Sequence, residues 1–309
     1  MSASFVAKEA APGTKQQPSA AADISLPVEP LSGDHREETL EFLAERPIHT
    51  VFMASLIRDN GLESPLNRGS FYACRGEGRR LEGVALIGHA TLIEARSEAA
   101  LAAFARIAQE CSLAHLVRGE QEKVEYFWSR YSETGATPRL VCRELLLEQR
   151  VPPVLRRYVK GLRLATLSDI DQIMEVNAAM AFEESGVNPM ERDPEGFRRR
   201  TARRVELGRY WVWTKRGRLV FKADVIAETP EAAYLEGIYV SPEERGKGYG
   251  LSCMSQLGHT LLARTGAVCL TVNEQVRNTL SFYSKAGYQL SSYYDTIYLQ
   301  RAPSSANTP

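Results

Sequence analysis

Cysteine is sparse and unpaired in pattern: Cys74, Cys111, Cys142, Cys253 and Cys269 form an odd, scattered set with no C-x-x-C spacing. That pattern signals neither a disulfide framework nor a zinc site, and fits free thiols in a reducing cytosol. No apolar run approaches the ~18 residues of a membrane-spanning helix, and no compact apolar core marks a signal peptide at the start. A soluble, cytoplasmic protein without membrane or metal is expected. Net charge is also missing, since 38 Lys+Arg balance 38 Asp+Glu, which removes any global bias toward nucleic acid or membrane surfaces. The balance is uneven along the chain, however: residues 1–150 hold 17 basic and 21 acidic side chains, and residues 151–309 hold 21 and 17. The slight excess in the second half suits an anionic ligand.

The 309 residues are long for one ordinary domain, and a prior of roughly 100 to 200 residues per domain suggests two. Residues 1–24 are too poor in large apolar side chains to offset the entropy of ordering and read as a tail, as do residues 302–309. Residues 25–149 form a first block. Asp34 with Glu37 resembles a capping box opening a helix that Pro47 closes, and a second helix ends at Asn60-Gly61. Strands Ser70–Cys74, Leu81–Ile87 and His89–Glu94 precede a helix Ser97–Glu110, a strand Ala114–Val117, a helix Glu122–Tyr131 and a strand Leu140–Leu147. Residues 150–160, with Pro152-Pro153, read as a stiff linker.

Residues 161–301 repeat that order of elements. A strand Leu162–Ala165 leads to a helix with Ile170, Ile173, Met174 and Asn177 on one stripe. A helix Pro194–Leu207 follows, then strands Tyr210–Thr214, Leu219–Ile226 and Ala233–Val240. After a glycine loop come a helix to Arg264, a strand Val268–Asn273, a helix Val276–Lys285 and one or two strands over Tyr288–Leu299. Two similar α+β blocks imply a tandem architecture.

The loop reads ERGKGYG, from Glu244 to Gly250. A P-loop requires Lys followed by Ser or Thr, and Lys247 precedes Gly248. A dinucleotide fingerprint requires a third glycine where Leu251 or Cys253 stands. What remains is Arg245, Gly248 and Gly250 in R-x-x-G-x-G between a strand and a helix. Without side chains, successive N–H groups can turn inward beside the positive end of the following helix, and a pyrophosphate can rest on main chain. A solvated glycine turn is the alternative reading of these seven residues.

The longer stretches YLEGIYVSPEERGKGYG and TVNEQVRNTLSFYSKAGYQ, in this order and separated by one helix and one strand, resemble the GNAT superfamily of acyl-CoA-dependent N-acyltransferases over about Leu162–Leu299. The chain further resembles the tandem type, in which a degenerate N-terminal GNAT-like half precedes an active one. The resemblance implies an α+β fold of two GNAT-like domains, each a mixed, mostly antiparallel twisted sheet flanked by helices. It implies acetyl-CoA or coenzyme A as cofactor, with the backbone of Ile238, Tyr239 and Val240 pairing with the pantetheine arm. Arg245, Gly246, Lys247, Gly248, Tyr249, Gly250 and Leu251 would hold the pyrophosphate. Tyr283 falls where the family has its general acid, and Asn273 matches. The family's usual Asn in the first turn of the last helix is Val276 here, and Asn278 lies two places on, about 200° around the helix.

Amine acylation by a thioester requires a neutral amine, a polarised carbonyl and a proton for the departing thiolate. Tyr283, with an ordinary pKa of ~10, is protonated at neutral pH and can supply that proton; a packed core tyrosine is its plain alternative. Glu236, by the strand period of two, shares a face with Ile238 and Val240 and is the candidate base. Phe182, Glu183, Glu184, Trp211 and Trp213 are candidate acceptor-pocket residues by resemblance. Cys253 and Cys269 leave open a covalent acyl-enzyme, although buried free cysteine is ordinarily packing. The run FRRRTARR, Phe197–Arg204, places Phe197, Thr201 and Val205 on one helical stripe and reads as a solvated helix face rather than a nucleic-acid site. Residues 27–148 contain no such glycine loop and are expected to bind no CoA. The expected activity is transfer of an acetyl group to a primary amine of a small molecule or peptide by direct attack. A non-catalytic acyl-CoA sensor is the alternative; the oligomeric state is open between monomer and homodimer.

Overall fold

Short runs of alternating apolar residues in the first half become strands β1 (Val28–Pro30), β2 (Gly69–Arg75), β3 (Leu81–Gly88), β4 (Ala90–Ala95), β5 (Leu116–Glu120) and β6 (Pro138–Gln149). Helices α1 (Arg36–Ala44), α2 (Pro47–Asn60), α3 (Glu98–Gln109) and α4 (Gln121–Tyr131) connect them. The second half supplies β7 (Arg163–Leu164), α5 (Ile170–Ser185), α6 (Pro189–Arg192), α7 (Pro194–Glu206), β8 (Tyr210–Lys215), β9 (Arg218–Glu228) and β10 (Ala233–Val240). It ends with α8 (Tyr249–Leu262), β11 (Val268–Asn273), α9 (Arg277–Lys285) and β12 (Gln289–Leu299). The structure, a computed structural model, describes residues 26–155, 157–275 and 277–300, and of Glu184, Ser185, Arg277 and Asn278 the backbone only. The expected tails, Val276, and the side chains of Glu184 and Asn278 thus lie outside the described residues.

Local expectations needed three corrections. The first cap lies earlier than Asp34: Ser32 and His35 form the capping box of a short 3-10 turn that runs into α1. Pro47 opens α2 instead of only closing α1, because its missing N–H costs nothing in a first helical turn. The C-terminal stretch is a single strand, β12, bent by an irregularity between Leu290 and Ser292.

All strands join one twelve-stranded sheet in the order β1-β2-β3-β4-β5-β12-β6-β11-β10-β9-β8-β7. Read inward from either edge, each half lays down its first five strands in sequence order and then receives the last strand of the other half. β12 pairs with β5, and β6 pairs with β11, while β6 and β12 pair with each other at the centre. The sheet is therefore continuous across the expected linker. Among the described pairs only β4–β5 and β10–β11 run parallel.

Alternation along the strands divides the core by face. Val268, Leu270 and Val272 of β11 join Leu145 and Leu147 of β6 in a cluster with Leu257 of α8 and Tyr283 of α9. Cys269 and Leu146 point the other way, against Ile48 and Val51 of α2, together with Tyr234 and Tyr294. Helix α2 of the first half thus packs on strands of the second, which ties the halves through buried apolar area worth roughly 25 cal/mol per Å2.

Candidate acyl-transfer site

Strands β10 and β11 pair side by side only from Ala233↔Val268 to Leu235↔Leu270. Beyond that point β10 stays with β9 as far as Val240↔Phe221, so a gap opens on its other edge. The cause is local. Glu236 pairs with Asp224 but Tyr239 with Lys222, so β10 carries one extra residue. The bulge contains Gly237 at φ 57°, where an added Cβ would come within 2.7 Å of both Asp224 Oδ2 and Lys222 Nζ. Glycine is thus needed there for both conformation and space.

The bulge corrects the placement of Glu236. An extra residue reverses the alternation, so Glu236 shares its face with Tyr239, Lys222 and Asp224, while Ile238 and Val240 face the core cluster beneath α8. Lys222 and Asp224 form a buried ion pair at 2.5 Å. Burial lowers the pKa of the Lys222 ammonium and raises that of the Asp224 carboxyl.

From Val240 the chain passes through a 3-10 turn at Pro242–Glu244 into the glycine loop. Gly246 and Gly248 have φ of 74° and 77°, with nothing within 4 Å of an added Cβ. Gly248 is the cap residue of α8, and no side chain accepts from that helix's first N–H groups. Four donors at a helix start ordinarily seek a partner, and the helix dipole favours a negative one. Gly250 serves packing: a Cβ there would lie 2.9 Å from Val240 Cγ2 and 3.4 Å from the Phe282 ring. Tyr249 is flanked by cations, with Arg157 at 4.9 Å and Lys215 at 5.4 Å from its ring centre.

The gap opens into a cleft of about 1830 Å3. Its wall includes Ile238, Tyr239, Val240, Arg245, Gly246, Gly248, Tyr249, Gly250, Leu251, Tyr283 and Glu183, so most of the residues expected around the cofactor come together. Others do not. Lys247 turns to Glu244 at 3.0 Å. Asn273 accepts from the Gln275 N–H at 2.9 Å. Trp211 and Trp213 pack on the core cluster, with Trp213 edge-on to Tyr249. Phe182 faces a separate cavity of about 450 Å3 with Met174 and Met190. Glu236 is exposed and stands outside the cleft wall.

Tyr283 is 6% exposed, between Phe282 and Tyr288. Its hydroxyl makes no hydrogen bond with any described residue, and it lines the cleft. Burial pushes its pKa up to about 12, so the phenol keeps its proton. The cysteines offer less. Cys253 and Cys269 are fully buried, and burial raises both thiols, Cys253 to about 12. A thiolate nucleophile is disfavoured at either position.

The far wall belongs to α5 and was missed from sequence. Its cap is firm: Thr166 and Asp169 form a capping box, and Arg163 hydrogen bonds, together with those of Thr166, hold the Asp169 carboxyl at about 2. Gln172, Glu175, Val176, Ala179, Met180 and Glu183 face the cleft at steps of one and three residues. That stripe lies beside the apolar stripe of Ile170, Ile173 and Met174, and its period was the available signal. Opposite stand Arg216 and Arg218 of the β8–β9 hairpin, with no ion pair to any described residue. The arginines of α7 are largely engaged: Arg198 pairs with Asp171, Arg200 with Asp193, Arg203 donates to Asn60, and Arg204 lies over Tyr210. This agrees with a solvated helix face.

The first half contrasts at every one of these points. Its parallel strands β4 and β5 also part after Leu92↔Arg118. There Arg46 bonds Glu94 at 3.1 Å and Glu120 at 2.6 Å, and Lys123 reaches Glu94 at 2.5 Å and Glu120 at 3.1 Å. Burial alone would raise the Glu120 carboxyl, but the Arg46 hydrogen bonds, with His49 and Lys123, outweigh it and hold it at about 2. Only Arg96 and Ser97 separate β4 from α3, and the Ser97 hydroxyl accepts from the Ala100 N–H at 3.3 Å. That helix start is capped from within.

The acetyltransferase (GNAT) domain family matches residues 206–290. No curated protein sequence matches the chain. Among solved structures, a tandem GNAT protein from the clavulanic acid biosynthesis pathway, in a form without AcCoA, superposes with TM-score 0.57 at 14% identity, covering 91% of this chain and 100% of that one. A GNAT-family acetyltransferase from Colwellia psychrerythraea gives 0.54 at 10% identity, covering 89% and 100%. A GCN5-related N-acetyltransferase from Sphaerobacter thermophilus gives 0.54 at 14% identity, covering 89% and 95%. At such identities the likeness concerns the fold. Among the described residues no helix is long and apolar enough to cross a membrane, and no group of His, Cys, Asp and Glu could hold a metal ion.

Proposed function

This chain has the tandem GNAT fold, with a GNAT acetyltransferase domain at residues 206–290, and we propose that its C-terminal half transfers an acetyl group from acetyl-CoA to a primary amine. The observation that carries the reading is the gap beside β10 leading directly onto the uncapped start of α8, with the Tyr283 hydroxyl in the same cleft. The residues present fit the cofactor. Main-chain N–H groups from Gly246 to Leu251, with Arg245, suit a pyrophosphate, and the free edge of Ile238–Val240 suits the amides of a pantetheine arm. Acetyl-CoA supplies an acyl group activated as a thioester.

The chain's own groups do the rest. Backbone N–H groups near Val240 polarise the thioester carbonyl and cost no reorganisation as charge develops. Tyr283 donates its proton to the leaving sulfur and is the general acid. Glu236 takes the proton lost by the amine through water, from the sheet face opposite Ile238 and Val240. The walls of the cleft are charged oppositely, with Arg216, Arg218 and Arg245 toward the phosphates and Glu175 and Glu183 toward the acceptor. A cationic small molecule or peptide amine suits that polarity.

The test is release of CoA from acetyl-CoA in the presence of spermidine, glucosamine, lysine or an alanyl tripeptide. Acceptor-dependent release with at least one of these is expected. Saturable CoA binding with no release above the acceptor-free rate would instead make the protein an acyl-CoA sensor.

A further inference from the structure

Arg118 is a cation of the first half that the sheet carries to the centre of the second. It lies on β5, opposite Thr296 of the exchanged strand β12. Its Nη2 donates to Tyr234 Oη at 2.7 Å and to Thr271 Oγ1 at 2.6 Å, and lies 3.4 Å from Glu144 Oε1. Glu144 accepts from Thr271 at 2.8 Å and from Thr296 at 2.6 Å, and the Tyr234 and Thr271 hydroxyls lie 2.8 Å apart. The guanidinium also stands 5.6 Å from the Tyr234 ring centre and 5.8 Å from that of Phe52. Five adjacent strands, β5, β12, β6, β11 and β10, thus contribute one residue each to a polar row on the α2 face of the sheet.

The row ends where the chemistry begins. Tyr234 and Thr271 flank Leu235↔Leu270, the last parallel pair before β10 and β11 part. Glu236 follows Tyr234 by two residues on the same face and interacts electrostatically with Arg118. A buried guanidinium shared among three acceptors fixes their relative positions more rigidly than apolar packing does, because each bond is directional. We propose that Arg118 is a positioning residue for acyl transfer, lent by the first half: it pins Tyr234 to Thr271, so that the mouth of the gap and Glu236 beside it keep one geometry. The proposal rests on the acyl-transfer reading above, and it gives the half without a glycine loop a part in the reaction.

Arg118→Met, Arg118→Lys and Tyr234→Phe would be assayed for CoA release with the same four amines, beside calorimetric titration with CoA. In Arg118→Met, kcat should fall roughly tenfold or more, as a small misplacement near reacting groups does. KM for acetyl-CoA and CoA affinity should stay within about twofold, the mark of a group acting on the transition state and not on binding. Arg118→Lys, which keeps the charge, should recover part of kcat, and adding Tyr234→Phe to Arg118→Met should cost little more, since the two belong to one network. Unchanged kcat in Arg118→Met overturns the inference. So does a parallel loss of kcat, CoA affinity and melting temperature, which marks a merely structural tether. If Arg118→Met does not fold, Arg118→Lys and Tyr234→Phe carry the same comparison. A wild-type protein inactive with all four amines overturns the acyl-transfer reading itself, whereas an active wild type with unaffected variants overturns only this inference.

Discussion

Gly248→Val should weaken CoA binding by about 100-fold, equivalent to roughly 3 kcal/mol, while leaving the protein folded. The argument is conformational. Gly248 holds φ at 77°, a left-handed value, at the cap of α8. A side chain there costs roughly 1–2 kcal/mol, and a β-branched one more. Nothing lies within 4 Å of the added Cβ, so the variant meets no clash and the fold survives. The strain relaxes by turning the loop, which swings the N–H groups of the first α8 turn away from the phosphates, and the valine methyls occupy the space the anion needs. Calorimetric titration with CoA, with the melting temperature as control, measures both parts. An affinity within about fivefold of wild type, roughly 1 kcal/mol, would remove the loop from the cofactor site.

Tyr283→Phe should lower kcat by roughly 100- to 1000-fold, the usual reach of a general acid, with KM for acetyl-CoA nearly unchanged. The substitution leaves no buried partner unsatisfied, because the Tyr283 hydroxyl bonds to no described residue, and the ring packing of Phe282 and Tyr288 is retained. Folding is therefore not the variable. The pH dependence follows from the raised pKa. Burial favours the neutral phenol, so the acid stays loaded until the pH approaches about 12. No alkaline loss of kcat assignable to Tyr283 should occur in the range where the protein is ordinarily assayed. Undiminished kcat in Tyr283→Phe would end its assignment as the acid.

Much of this site was legible in the chain because it is built from local signals. Ala233–Val240 and Val268–Asn273 are strands with the bounds that their apolar alternation predicts, and ERGKGYG is a loop whose glycines take positive φ or close contact. The tandem repetition of elements was equally visible. What escaped is long-range. The exchange of β6 and β12 leaves each strand's own alternation unchanged, so no pattern within Pro138–Gln149 or Gln289–Leu299 tells which half it will join. Arg118 could not be placed near the second site for the same reason. The bulge at Gly237 escaped because a glycine inside a strand is compatible with straight or bulged backbone, and a single extra residue was enough to put Glu236 on the other face. Ser32 took the cap from Asp34 by a side-chain exchange with His35, a pairing that falls outside the usual Glu or Gln pattern.

The account's central claim is one cofactor site in a chain of two similar halves. In the first half Arg46, Lys123, Glu94 and Glu120 fill the space where β4 and β5 part, and Ser97 caps α3. In the second the corresponding space is open and α8 is uncapped. Calorimetric titration of the whole chain with CoA tests this most directly. One equivalent bound per chain, abolished by Gly248→Val, is the predicted result; two equivalents, or one that persists unchanged in Gly248→Val, would contradict it.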